Sequence, residues 1–130
     1  MDSSVGAIVA TRARYCCEYC QINEADDAFK FHVEHVIALK HRGSSEPANL
    51  AYACQHCNLH KGSNLSGIDP QSGTITAIFN PRQQVWSDHF AFSGPLIVGS
   101  TATGRATVEV LAMNEADRVK LRALLSGQGP

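Results

Sequence analysis

The chain has 130 residues, enough for one domain with a modest core, and its 44% hydrophobic and 18% charged residues are those of a folded globular protein rather than a disordered one. No run approaches the roughly 18 consecutive apolar residues of a membrane span. A net charge of -1 supplies no general attraction to polyanions, so any contact with nucleic acid has to come from a local patch. Residues 18–27 carry Glu18, Glu24, Asp26 and Asp27 and no base, whereas Lys40, Arg42, Lys61, Arg82 and Arg105 outnumber Glu46, Asp69 and Asp88 further along.

"VGAIVATRAR" (5–14) reads as a short helix or extended lead-in, with Val5, Ile8 and Val9 on one helical face. An acid near the start and Arg12 and Arg14 after the apolar part reverse the polarity of a secretory signal, so the expected location is the cytoplasm. "CEYC" and "CQHC" are two C-x-x-C knuckles, Cys17/Cys20 and Cys54/Cys57. Each can aim two thiolates at one ion, and together they complete a closed tetrahedral zinc site. Disulfides or a redox pair are the competing reading. Cys16 is left outside the set.

Between the knuckles, "QINEADDAFK" reads as a polar loop and "FHVEHVIAL" as a strand. "KHRGSSEPANL" is a loop punctuated by Gly, Ser and Pro, and "NLHKGSNL" begins a helix that Gly62 limits. Further on, "TITAIF" predicts a strand, and "AFSGPLIVGS" a turn followed by a strand. "TATGRATVEVLAM" leans to helix. "NEADRVKLRALL" is a clearer one, capped by Asn114 and apolar at Val119, Leu121, Leu124 and Leu125. "SGQGP" reads as a frayed tail.

The strand between the knuckles carries the unusual groups. His32, Glu34 and His35 crowd an apolar run, and Asn58 directly follows Cys57. A zinc staple would hold Asn58 near the strand that bears Glu34. A carboxylate and an amide oxygen are hard ligands suited to Mg²⁺ or Mn²⁺, with positions left for water and a phosphate oxygen. Strand alternation puts His32 on the face of Glu34 and His35 on the other, so a strand end or irregularity is expected there.

Taken together, "CEYC", "FHVEHVIALKHRG", "NLAYACQHCN" and "HKG" resemble the HNH nucleases, whose fold is the ββα-metal finger. The resemblance covers about residues 16–62. It implies that His35 is the general base, Glu34 and Asn58 ligands of a catalytic divalent ion, and Asn49 the residue that shapes the loop and orients the histidine. It also implies structural zinc on Cys17, Cys20, Cys54 and Cys57. Many relatives have Asp where Glu34 stands and Pro where Ala38 stands.

Phosphodiester hydrolysis needs an activated water and stabilisation of charge on the phosphate and leaving oxygen. An imidazole titrating near pH 6.5 suits the first need. Lys40, Arg42, Lys61 and Arg82 are candidate phosphate contacts, and His32 is either an auxiliary contact or structural. Trp86 reads as core sooner than as a platform for bases. The expected protein is therefore one α+β domain, a zinc-stapled ββα-metal (HNH) finger with a C-terminal strand and helix extension over about residues 63–126. It would cleave DNA with Mg²⁺ or Mn²⁺, away from membranes. The rival is a non-catalytic zinc module that binds nucleic acid or protein, which has no use for Glu34, His35 and Asn58 in one cluster.

Overall fold

The computed structural model describes residues 3–127. Met1 and Asp2, part of the N-terminal polarity reading, and residues 128–130 of the expected tail lie outside them. The described chain is mixed α and β and falls into two compact units. The first runs up to Asn64 and includes Asn80–Gln84; the second comprises Leu65–Phe79 and the chain from Val85 onward.

In the first unit, α1 (Ser3–Arg12) packs on β2 (Leu50–Ala53). Its buried edge centres on Val9 and Ala10, while Ile8 is 51% exposed, contrary to the expected face. Successive helical residues are about 100° apart, so a seat for Val9 turns Ile8 aside. Arg12, in the last turn where a cation suits the helix dipole, donates to the carbonyls of Pro47 (3.0 Å) and Leu50 (2.6 Å).

β1 (His32–His35) pairs antiparallel with β2, His32 opposite Ala53 and His35 opposite Leu50. All four residues of β2 are buried. α2 (Gln55–Lys61) follows at once, capped by the Cys54 sulfur, and ends at Gly62 with φ +51°. This gives hairpin then helix, with one knuckle before the hairpin and the other opening the helix.

The expected strand over 31–39 is much shorter in the structure, and Asn49 supplies the reason. Its Oδ1 accepts from the Ile37 N–H at 3.0 Å, and its Nδ2 donates to Ile37 O and Ser44 O at 2.9 and 2.7 Å. One side chain thus takes the backbone groups that a neighbouring strand would have used. The loop folds back so tightly that a Cβ on Gly43 would lie 1.7 Å from Ile37 O, so only glycine fits.

The second unit contains two hairpins and two helices. β3 (Ser66–Ile68) pairs with β4 (Ile75–Ala77), and β5 (Phe90–Ser93) with β6 (Leu96–Gly99). α3 (Ala102–Val110) is capped by Thr101, whose hydroxyl accepts from Gly104 N at 3.0 Å. α4 (Ala116–Leu125) follows. Phe79, Phe90, Ile97, Ala106, Leu111 and Met113 form the core. Trp86 is half-buried and stacks on Phe90 at 5.0 Å.

Two expectations for α4 are corrected. Its N-cap is Glu115, because the Asn114 amide is spent on Ile97 N and O at 2.9 and 2.8 Å. Its buried residue is Arg122, whose guanidinium reaches the carbonyls of Pro95 and Met113, while Leu124 and Leu125 are exposed.

Candidate metal centre and active site

The four knuckle cysteines come together. All are buried, none forms a disulfide, and their ligand atoms lie within 4.8 Å of one another. Cys20 and Cys54 sulfurs are 3.7 Å apart, far beyond a disulfide bond and near the roughly 3.8 Å between thiolates that share a tetrahedral Zn²⁺ at ~2.3 Å. Within each knuckle the later amide points at the earlier sulfur, Cys20 N to Cys17 at 3.4 Å and Cys57 N to Cys54 at 3.3 Å. Burial pushes the Cys17 thiol up, and hydrogen bonds from Cys17 and the other thiols pull Cys20 down. A divalent ion would take the place of the shared protons. The donor set fits zinc, and four sulfurs leave no open position for substrate.

Beside this staple lies a cavity of about 340 Å³, lined among others by His32, Glu34, His35, Asn58, Gly62 and Ser63. β1 supplies the first three and α2 supplies Asn58. β1 ends at His35, and His32, Glu34 and His35 all reach the lining despite the alternation of a regular strand. The Nε2 of His35 is 2.9 Å from Ser45 Oγ, a partner that holds the ring's orientation. His32 is exposed at the rim, and Asn58 is half-buried one turn after Cys54, its N–H bonded to Cys54 O. Asn49 stands behind His35, gripping Ile37 and Ser44 rather than lining the cavity.

Glu34 is only 6% exposed and has two partners. The Tyr19 hydroxyl donates to Oε1, and the Lys61 ammonium lies 3.0 Å from Oε2. Burial raises the Glu34 carboxyl above the ordinary range, while the Lys61 charge and the Tyr19 hydrogen bond pull it back. Burial, and then the charge of Glu34, raise Tyr19 as well. Each carboxylate oxygen has two lone pairs, so one on each remains after these bonds. Carboxylates that bind metal ions are ordinarily hydrogen-bonded from behind in this way. Glu34 and the Asn58 amide oxygen therefore fit a hard divalent cation as donor types.

The basic candidates separate. Lys40 and Arg42 are exposed on the loop that follows β1. Lys61 and Arg82 turn to partners inside the protein. Lys61 is 1% exposed and is taken up by internal acceptors, and Arg82 pairs with Glu18, both largely buried. The sequence reading passed over Tyr19 and Ser45. Tyr19 had a usable signal: an aromatic between two ligands of one knuckle is held in the interior, where its hydroxyl needs a partner. Ser45 had none, since only the fold of the 38–46 loop brings it to His35.

A β-hairpin and short helix clamped by two cysteine knuckles form a ββα finger whose four thiolates could hold zinc. Residues 17–64 match the family model of the HNH endonuclease. Among curated proteins it is similar to the Septu protein PtuB of Bacillus thuringiensis, 27% identical over 113 residues. That match covers 85% of this chain and 41% of the relative, so the chain spans about two fifths of the relative's length. No solved structure matches. Among the described residues, no helix is long and apolar enough to cross a membrane.

Proposed function

We propose that the cavity between β1 and α2 is the active site of a divalent-metal-dependent endonuclease that hydrolyses DNA phosphodiester bonds. One observation carries the reading: the histidine and carboxylate of β1 and the amide of α2 line one cavity beside a closed thiolate cluster. The HNH match over the same residues supports it. The zinc staple fixes the frame and takes no part in the chemistry.

His35 takes a proton from the attacking water, with Ser45 holding its ring. Glu34 and Asn58 would hold Mg²⁺ or Mn²⁺, which when bound supplies charge neutralisation on the phosphate and the leaving oxygen. Asn49 keeps the backbone after His35 bent away from the sheet, so the imidazole stays at the strand end. Exposed Lys40 and Arg42 contact backbone phosphates. The products are a 5′-phosphate and a 3′-hydroxyl.

One observation favours the rival, a zinc module without catalysis: each oxygen of Glu34 already has a partner inside the protein, Tyr19 or Lys61. Incubating the purified protein with supercoiled plasmid and Mg²⁺ or Mn²⁺ separates the two. The nuclease reading expects nicking by the wild type and none by His35→Ala. No cleavage of any DNA form by a zinc-replete wild type would favour the rival.

A further inference from the structure

Lys61, the last residue of α2, is only 1% exposed. An ammonium has three N–H donors. Here all three have acceptors inside the protein: Glu34 Oε2 at 3.0 Å, His35 O at 3.1 Å and Val36 O at 2.9 Å. No donor is left for a phosphate. Two of the three acceptors are main-chain carbonyls at the point where β1 ends. A single side chain from α2 thus fixes both the carboxylate of Glu34 and the backbone of His35.

Lys61 also stands three residues after Asn58 on α2, and residues at that spacing are neighbours on a helix surface. The cavity has one wall from β1, with Glu34 and His35, and one from α2, with Asn58. Lys61 ties these two walls together. Tyr19, wholly buried, holds the other carboxylate oxygen from the knuckle side. Glu34 is therefore pinned at both oxygens, and the directions of its remaining lone pairs are set before any cation arrives.

We propose that Lys61 and Tyr19 are positioning residues that hold Glu34, and through Lys61 the α2 wall bearing Asn58, in the geometry that binds a divalent cation. The inference rests on the reading of the cavity as a metal-dependent nuclease site. It has a physical opposite. If the ammonium were only a competing charge beside Oε2, its removal would tighten cation binding.

The test is Mn²⁺ affinity, read by electron paramagnetic resonance of free Mn²⁺, for zinc-loaded full chains of the wild type, Lys61→Met and Tyr19→Phe. Zinc content, thermal unfolding and the kcat and KM of plasmid nicking are measured on the same samples. Each variant is expected to bind Mn²⁺ at least about tenfold more weakly, with one zinc per chain retained and kcat reduced more than KM is changed. Mn²⁺ affinity equal to or tighter than wild type in the variants overturns the proposal. If Lys61→Met does not fold, Tyr19→Phe decides alone, since it keeps the ring and removes only the hydroxyl. A wild type that binds no Mn²⁺ overturns the nuclease reading and this proposal together. A wild type that binds Mn²⁺ and cleaves, beside variants of unchanged affinity, overturns this proposal only.

Discussion

The two units hold themselves together by different means. The first concentrates polar and ionisable groups in its interior: four thiols, the Tyr19–Glu34–Lys61 chain and the Glu18–Arg82 pair. The second has an apolar core of Phe79, Phe90, Ile97, Leu111 and Met113, with Asp69 and Arg105 as its main ion pair. Buried charges are costly, and removing one partner of such a pair typically costs about 3–5 kcal/mol. In the first unit one such pair, Glu34–Lys61, adjoins the cavity that Glu34 lines; the second unit rests on buried rings and aliphatics. The contrast teaches where substitutions will be tolerated.

The largest effect is expected from the zinc staple. Cys54→Ser, or strong chelation, should release the metal and unfold the β1–β2 hairpin with α2, because the ion's binding energy is folding energy in such small modules. Zinc content and far-UV dichroism follow the first unit. Trp86, the sole tryptophan, lies in the second and reports on it by fluorescence. Simultaneous loss of both signals would break the comparison.

Next comes Asn49→Ala. It strips the bonds to Ile37 N, Ile37 O and Ser44 O. The expected destabilisation is about 1–3 kcal/mol, seen in urea unfolding, with a loss of nicking rate greater than the loss of folded protein explains. Unchanged stability would mean that water replaces the amide.

A smaller effect is expected in the second unit as pH falls. Bidentate hydrogen bonds from Arg105, with another from Ser72, hold the Asp69 carboxyl well below the usual carboxylate range. An acid depressed in the folded state contributes stability that is fully present above its unfolded pKa of about 3.9 and is lost as pH drops below it. Trp86 fluorescence should therefore show the second unit weakening below about pH 4, and Asp69→Asn should remove that dependence while lowering the melting temperature at neutral pH. The smallest effect is Thr101→Ala, which deletes the cap on α3 and should cost about 1 kcal/mol in the same fluorescence assay.

Legibility in the sequence follows the same divide. The knuckles were readable because ligand spacing is fixed by the ion's geometry, and the structure gathers Cys17, Cys20, Cys54 and Cys57 at one point. The short β1 was only half readable. Its apolar run continues past His35, and the group that ends it, Asn49, lies a loop away. Lys61 reads as a candidate phosphate contact because helical position alone does not reveal its three internal acceptors. In the second unit, β3 went unseen and β5 was read as a turn, since "SGI" and "FAFS" carry little alternation and owe their pairing to partners β4 and β6. Arg122 took an apolar seat because two backbone carbonyls there needed a donor.

The central claim is that His35 is the base of a DNA hydrolase whose zinc is structural. Single-turnover cleavage of a labelled DNA duplex in Mn²⁺, comparing zinc-replete wild type with His35→Ala in the absence and presence of added imidazole, tests it most directly. The account predicts a loss of at least about 100-fold in His35→Ala, partly restored by imidazole, with zinc content unchanged. Cleavage by His35→Ala at the wild-type rate without imidazole would contradict it.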